Sequence, residues 1–194
     1  LIAPASAFRL LLADAAELAV RHRRPFTIGA VPSRPETGYG YIRAGEPLLL
    51  LAGAPALETV GMEVASFVEK PDRATAERYV ASGEYLWNTG LFVWRVAELL
   101  DQLQKHTPEL ARLIPLLREG AVEEFFREAP TLSIDQGLLE RSDRVGMVRA
   151  TFRWDDVGAW DAVYRTRPAD AAGNVVVGEG HAVEARRNVL YAEG

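Results

Sequence analysis

The chain has 194 residues, of which 48% are hydrophobic, and a net charge of −5 at pH 7. This composition predicts a globular protein with one domain, or with one domain and part of a second, and excludes global disorder. The acidic charge argues against a nucleic-acid-binding protein, which needs a basic face. The apolar runs are too short to span a membrane. The absence of cysteine fits a reducing compartment, for which we expect the cytoplasm.

The sequence begins with Leu1-Ile2-Ala3-Pro4, without methionine and without a signal-peptide pattern. We therefore expect the chain to be a fragment of a longer protein. Hydrophobic periodicity then divides its first half into helices and strands. The predicted elements are a helix over residues 7–23, strands over 26–31, 41–51 (with a turn at 45–47) and 60–68, and a helix over 74–81 that Asp72 caps and Gly83 ends.

The second half begins with a β-prone segment and continues with mainly helical periodicity. The predicted elements are a strand over 91–94, helices over 96–106, 110–117, 122–127 and 133–141, a strand over 145–150 and a helix over 160–165. Ser133 and Gln136 have the spacing of a capping box at the start of the fourth of these helices. Because strands alternate with helices, we predict an α/β fold with a largely parallel or mixed sheet. Beyond residue 173 the sequence is typical of short strands separated by turns.

Polar residues lie at the predicted ends of four apolar strands. These polar segments are Thr37 to Gly40, Glu69-Lys70, Asn88-Thr89-Gly90 and Asp155-Asp156. Strand ends at one edge of an α/β sheet converge in space, and we expect these residues to converge with them.

The residue types in these segments suit recognition of a sugar phosphate. Asn and Glu can bind sugar hydroxyls, and Lys70 is a point charge suited to phosphate. Asp155 or Asp156 could hold Mg²⁺ together with substrate phosphates. The sequence shows no strong nucleophile–base pair, so the set favours phosphoryl-type transfer by positioning and charge neutralisation.

Structural explanations are open for the same residues. Asp155 and Asp156 could cap the following helix, and Asn88 could be a turn residue. Trp154 and Trp160 are most simply core or wall residues.

The motifs in these segments resemble those of the sugar-phosphate nucleotidyltransferases, most closely the mannose-1-phosphate guanylyltransferases. The resemblance covers about residues 26–178, and the motifs occur in family order. They are the loop Arg34–Ile42, Phe67-Val-Glu-Lys-Pro71, Trp87-Asn-Thr-Gly90 with Thr for the usual Ser, Ser133-Ile-Asp135, and Trp154-Asp-Asp-Val-Gly-Ala-Trp160 with Ala for the usual Ser.

The resemblance implies transfer of GMP from GTP to mannose 1-phosphate, giving GDP-mannose and pyrophosphate, with Mg²⁺ as cofactor. The composition changes at Arg167-Pro168, where we place a domain boundary. For residues 1–166 before it, the resemblance implies a Rossmann-like mixed sheet of a glycosyltransferase-A-like nucleotidyltransferase domain. The start of a small β-rich domain resembling a left-handed β-helix would follow over 167–194. A homodimer is compatible with it, and it involves neither nucleic acid nor membrane.

The resemblance also implies a role for each motif residue. Lys70 would hold the sugar phosphate and Asp156 would bind Mg²⁺, which makes these two the candidate catalytic residues. Residues near the sugar would be Thr37, Gly38, Tyr39, Gly40, Glu69, Asn88 and Asp135.

Two departures from the family pattern concern the nucleotide side of the site. The family's Gly-rich motif does not occur in the chain, and no Asp follows Pro4 where the family carries its second metal ligand. We therefore expect the chain alone to form no GDP-mannose. Two alternatives stay open: a relative that uses glucose 1-phosphate with another nucleotide, and a non-catalytic regulatory homologue that senses the sugar nucleotide.

Overall fold

The computed structural model describes residues 1–49 and 57–192, which form two compact units. The larger unit spans Ser6–Thr151, and the smaller one combines Leu1–Ala5 with the chain from Phe152 onward. The end of the predicted segment 41–51 lies outside the described residues.

Helices and strands alternate along most of the chain, as the hydrophobic periodicity predicts. In chain order the elements are β1 (Ile2–Ala3), α1 (Ala5–His22), β2 (Phe26–Ala30), β3 (Tyr41–Pro47), β4 (Met62–Val68), α2 (Arg73–Ser82), β5 (Tyr85–Val93), α3 (Val96–His106), α4 (Pro108–Ala111), α5 (Ile114–Arg118), α6 (Val122–Glu128), a π-helical turn (Asp135–Leu139), β6 (Gly146–Arg149), β7 (Arg153–Trp154), α7 (Trp160–Thr166), β8 (Val175–Val177) and β9 (Val189–Tyr191).

The strands of the larger unit form a closed ring in the order β2, β5, β3, β4, β6. Strands β2 and β6 pair in parallel, and the other neighbours are antiparallel. The predicted α/β architecture with a mixed sheet is therefore confirmed. Strand β2 is buried along its whole length, because it pairs with β5 on one side and β6 on the other.

Apolar side chains from three strands pack together inside this ring. Ile42, Leu86 and Met147 form a buried cluster, against which Val64 and Phe67 of β4 also pack. Burial of one such side chain stabilises the fold by about 1.5–3 kcal/mol. The cluster fixes the positions of β3, β4 and β5, the strands that border the polar residues described below.

Local signals predicted the ends of α2 correctly. The Asp72 carboxylate accepts a hydrogen bond from the Thr75 amide at 2.7 Å. Gly83 ends the helix with a φ of 70°, a conformation that glycine adopts without a steric penalty.

Three local predictions were wrong in detail. No turn forms at residues 45–47, because β3 continues to Pro47. In this segment the pairing of β3 with β4 shifts register. Helix 110–117 divides into α4 and α5. The segment after Ser133 forms a π-helical turn rather than a regular helix, although Ser133 Oγ accepts the predicted bond from the Gln136 amide at 3.2 Å.

The smaller unit contains two pairs of short strands. Strand β1 pairs with β7 antiparallel, and β8 pairs with β9 in parallel. Trp160, predicted as a core or wall residue, is 68% exposed and contacts Tyr191 edge to face. The predicted division at residue 167 and the β-helix-like domain stay predictions. Among the residues described, no helix is long and apolar enough to cross a membrane.

Candidate active site

Four segments of the larger unit bring polar residues together beside the strand ring. The Asn88 amide N–H donates to the Gly40 carbonyl at 2.7 Å, and Asn88 Nδ2 donates to Asp135 Oδ1 at 2.9 Å. The Lys70 amide donates to the Tyr39 carbonyl at 3.2 Å, which joins the loop before β3 to the end of β4. Residues far apart in the sequence therefore surround one site.

Asn88 reaches this site from the middle of a strand. The prediction that it lies at a strand end was wrong, because β5 continues through residues 88–90. Its pairing with β2 shifts register between Thr27 and Gly29. Such irregularities re-aim side chains near functional sites.

Gly40 is buried where the loop meets β4 and β5. A Cβ atom at this position would lie 2.7 Å from Glu69 Oε2 and 3.0 Å from Phe67 Cζ. Both distances are shorter than an ordinary van der Waals contact, so a side chain at this position would displace the Glu69 carboxylate or the Phe67 ring.

Glu69 and Lys70 adjoin each other but differ in exposure. Lys70 Nζ lies 3.4 Å from Glu69 Oε1, and the side chains are 64% and 13% exposed, respectively. Lys70 has a φ of 47°, a conformation that is uncommon for residues other than glycine and that clusters at functional sites. The Glu69 amide donates to Glu140 Oε1 at 3.1 Å, which attaches the end of β4 to the segment after the π-helical turn. The lysine is thus exposed beside a largely buried acid.

Two carboxylates of the site have raised pKa values. Burial raises the pKa of Glu69 most, and the negative charge of Asp135 raises it further, while Lys70 opposes both effects. Burial also raises the pKa of Asp135, against the hydrogen bond from Asn88 and the charge of Lys70. Partly buried carboxylates of this kind are strong acceptors for ligand hydroxyls.

The loop before β3 is held mainly by its own side chains. Arg34 Nε contacts Glu36 Oε2 at 3.2 Å, and the guanidinium lies 4.9 Å from the Trp87 ring centroid. Thr37 and Gly38, the next residues of the loop, are exposed, and the Gly38 amide donates to Glu36 Oε1 at 3.2 Å. That amide is therefore engaged within the loop.

The two adjacent aspartates of the smaller unit differ in environment. Asp155 is buried, lies 3.3 Å from Arg165 Nη2 and accepts a hydrogen bond from the Val157 amide at 3.0 Å. Asp156 is exposed, with its Oδ2 2.9 Å from the position a Cβ would take at Gly158. Asp155 is therefore held by contacts within the smaller unit, whereas Asp156 is exposed to solvent.

Within the described ranges, no group of three or more His, Asp or Glu side chains is arranged to hold a metal ion. A single accessible carboxylate nevertheless fits Mg²⁺, which commonly keeps several waters and binds one or two carboxylates plus substrate phosphates. Asp156 is an exposed carboxylate of this kind.

Sequence reasoning missed two residues that contact the site. Thr27 donates through Oγ1 to Asn88 Oδ1 at 2.8 Å. Thr27 is the single polar residue within the apolar run 26–30, and this could have indicated a role beyond packing. Glu140 contacts the Glu69 amide across 71 residues, and nothing local in the sequence indicates that contact.

Replacing Asp135 with asparagine is expected to stabilise the fold at neutral pH. An Asn oxygen can still accept from Asn88, while the charge that opposes ionisation of Glu69 is removed. Burial disfavours the ionised form of Asp135, so its pKa is higher in the folded state than in the unfolded state. The Asp135 charge therefore lowers the free energy of unfolding above the raised folded pKa. It has no effect below the pKa of the unfolded state, 3.8, because the carboxyl is then protonated in both states. Chemical denaturation should give a gain of at most about 1 kcal/mol at pH 7 that disappears towards about pH 3.5.

Asp143→Asn removes the same charge from a neighbouring loop that lies outside the site and serves as the control. An equal gain from Asp143→Asn, or a gain from Asp135→Asn that persists in acid below the unfolded pKa, would contradict this explanation.

The fold agrees with the comparisons to known proteins. The chain belongs to the nucleotidyl transferase family, whose profile matches residues 5–173. It is 38% identical over 196 residues to the mannose-1-phosphate guanylyltransferase of Escherichia coli (strain K12), covering 93% of this chain and 40% of that protein. It is 36% identical over 176 residues to mannose-1-phosphate guanylyltransferase ManC of Salmonella typhimurium, covering 86% and 36%.

A solved structure described as mannose-1-phosphate geranyltransferase from Thermus thermophilus has a similar fold. It superposes with a TM-score of 0.82 at 37% identity, covering 99% of this chain and 55% of that one. The chain spans about 40% of the length of the curated relatives it matches.

Proposed function

We propose that the protein transfers GMP from GTP to mannose 1-phosphate, giving GDP-mannose and pyrophosphate. The observation that carries the proposal is the convergence of Gly40, Glu69, Lys70, Asn88 and Asp135 at one site. Membership of the nucleotidyl transferase family and similarity to guanylyltransferases acting on mannose 1-phosphate support it.

The uncharged part of the sugar phosphate would be bound by Glu69, Asn88 and Asp135. Sugar hydroxyls both donate and accept, so they need acceptors and donors side by side. The two carboxylates offer acceptors, and the Asn88 amide offers a donor. Gly40 allows the loop to approach closely enough to close one side of this pocket.

Lys70 would bind the phosphate of the sugar. It is one of two lysines, with Lys105, among 22 lysine and arginine residues. Nearly all cationic side chains of this protein are arginines, but the one at the exposed edge of this pocket is Lys70. Its ammonium is a compact point charge that can bind a phosphate. Its side chain is 64% exposed and so is accessible to ligand.

In the proposed reaction, a phosphate oxygen of mannose 1-phosphate attacks the α-phosphorus of GTP. A new P–O bond forms, and the bond to the β-phosphate oxygen breaks with release of pyrophosphate. The attacking phosphate is already ionised, so no side chain has to remove a proton. The contribution of Lys70 is to reduce the repulsion between two anions and to hold the nucleophile in position.

We propose Mg²⁺ as the divalent cation and Asp156 as its ligand from this chain. A cation held there would supply charge neutralisation for the substrate phosphates. Asp156 would hold it through an exposed carboxylate, while Asp155 keeps the local backbone in place through Arg165 and the Val157 amide.

Asp156→Asn in the full-length protein is expected to raise the Mg²⁺ concentration for half-maximal activity at least about tenfold. Asp155→Asn is the matched variant. It should lower the free energy of unfolding by about 1–3 kcal/mol through the weakened bonds to Arg165 and Val157, with little change in the Mg²⁺ requirement. Mg²⁺ titrations of activity and urea denaturation separate the two effects. Equal Mg²⁺ dependence in the two variants would contradict the assignment.

Pyrophosphate release by the full-length protein tests the proposed function. It should be measured across mannose 1-phosphate and glucose 1-phosphate, each with GTP and with other nucleoside triphosphates. The highest kcat/KM is expected for mannose 1-phosphate with GTP. A higher value for glucose 1-phosphate with another nucleotide would favour the related nucleotidyltransferase, and sugar-nucleotide binding without turnover would favour the regulatory homologue.

We also propose that the chain beyond residue 167 begins a second, β-helix-like domain. The parallel pairing of β8 with β9 supports this, because parallel β-helices stack strands in parallel. The homodimer and the cytoplasmic location stay predictions, which sedimentation analysis and cell fractionation would test.

A further inference from the structure

Thr27 is a buried polar residue that has no part in the function proposed above. It lies in the middle of β2 with 0% of its surface exposed. Its backbone pairs with Phe92 of β5 on one side and Met147 of β6 on the other, so both of its neighbours along the sheet are fixed. A hydroxyl in such a position needs a hydrogen-bond partner, and here the nearest partner is a residue of the candidate site.

The Thr27 hydroxyl has two acceptors within reach, the Asn88 carboxamide and, farther away, the Leu91 carbonyl at 3.5 Å. Asn88 Oδ1 also accepts a longer hydrogen bond from the Gly90 amide at 3.4 Å. Thr27 Oγ1 donates to Asn88 Oδ1 at 2.8 Å, while Asn88 Nδ2 donates to Asp135 Oδ1 at 2.9 Å. The two contacts assign opposite ends of the amide. A half-turn of the amide would place its oxygen against the Asp135 carboxylate, where two acceptors repel each other.

We propose that Thr27 is a positioning residue that holds the Asn88 amide in the orientation set by the Asp135 carboxylate. The inference rests on the proposed function, because it assigns the fixed groups to the sugar phosphate. With the orientation fixed, Asn88 has a second N–H, and the Asp135 carboxylate, which also accepts from a backbone amide, has further acceptor capacity. One donor and one acceptor side by side match a sugar hydroxyl, which accepts and donates.

This role predicts an effect on binding rather than on the chemical step. The amide would contact the sugar equally in the ground state and in the transition state, and loss of such uniform binding raises KM with little change in kcat. The net contribution of one hydrogen bond corresponds to about a three- to tenfold change in affinity.

Comparison of Thr27→Val with Thr27→Ser isolates the hydroxyl. Valine keeps the shape and removes the donor, whereas serine keeps the donor and removes a methyl group. In the full-length protein, Thr27→Val should raise the KM for mannose 1-phosphate about three- to tenfold, with kcat within about twofold and the KM for GTP unchanged. Thr27→Ser should restore the low KM.

Thr89→Val provides a matched control for the loss of a buried hydroxyl. Thr89 is also buried, but its Oγ1 donates at 2.8 Å to the Ile28 carbonyl of β2 instead of to a site side chain. It should lose stability to a similar extent, by urea denaturation, and leave the KM for mannose 1-phosphate closer to the wild-type value than Thr27→Val does. Equal KM values for Thr27→Val and Thr27→Ser, or equal increases in Thr27→Val and Thr89→Val, would overturn the inference.

A readout without turnover separates this inference from the proposed function. The side-chain amide resonances of Asn88, assigned by their loss in Asn88→Asp, should stay as one sharp pair in Thr27→Ser and shift or broaden in Thr27→Val. An unchanged pair in Thr27→Val overturns the positioning role. If the wild-type protein releases no pyrophosphate from any substrate pair, the proposed function fails, and these resonances still decide whether Thr27 orients Asn88.

Discussion

Lys70→Ala is expected to lower kcat/KM for mannose 1-phosphate by about 100- to 1000-fold, the usual effect of removing a group that stabilises transferring phosphate charge. The ammonium is exposed beside Glu69, so its removal should cost little folding free energy. The loss should appear in both kcat and KM, because the lysine would bind the substrate phosphate and also stabilise charge during transfer. Steady-state kinetics of the full-length protein checks this expectation.

Lys105 is the internal control for this prediction. It is also exposed and lies 2.8 Å from Asp101 on α3, in an ordinary ion pair one helical turn away. Lys105→Ala should leave the kinetics unchanged. An amine-reactive label should modify both lysines, and mannose 1-phosphate should protect only Lys70. Unchanged kcat and KM in Lys70→Ala, or equal labelling of both residues with and without sugar phosphate, would exclude the role assigned to Lys70.

Gly40→Ala is expected to reduce kcat/KM by about 100-fold without altering any charge. The new methyl group would lie 2.7 Å from Glu69 Oε2, so the carboxylate or the loop has to move. A displacement on the order of 1 Å at a binding group can reduce the rate by this factor. Overpacking should also lower the free energy of unfolding by about 1–3 kcal/mol, measurable by chemical denaturation.

Gly38→Ala tests the same loop without the clash. The nearest atom to a Cβ at that position is Glu36 Oε1 at 3.5 Å, an ordinary contact. Its effect on kcat/KM should therefore be far smaller than that of Gly40→Ala. If both variants lose activity equally, the loop as a whole is sensitive to substitution, and the close approach at Gly40 is not the cause.

The parts of the fold that depend on neighbouring residues could be predicted from the sequence. The caps Asp72 and Gly83 follow from interactions within one turn of α2, and the extent of α3 follows from its periodicity. Strand β2 was predicted within one residue of its observed end. These features depend on backbone conformation and side-chain type, which residues close together in the sequence determine.

Features that depend on distant partners could not be predicted in the same way. The polar residues Asn88 to Gly90 continue β5 because Asn88 pairs with Gly29 of β2 and donates its backbone amide to the Gly40 carbonyl, contacts that outweigh the turn preference of the segment. Burial separates Asp155 from its neighbour Asp156, and sequence gives no sign of which carboxylate is covered. The contact of Glu140 with the Glu69 amide arises only after folding.

Asn88 is held in the centre of β5, next to the fully buried β2, and this has a consequence for how the protein could change its substrate. The amide that we propose to bind the sugar is hydrogen-bonded to Thr27, a fully buried residue of β2. A mutation that re-orients the amide therefore also disturbs packing, so altered sugar preference and thermal stability should vary together in a library of variants at positions 27, 88 and 135. Stabilising mutations elsewhere would have to precede a change of sugar preference. We therefore expect the sugar preference of this pocket to evolve more slowly than that of a site formed by surface loops.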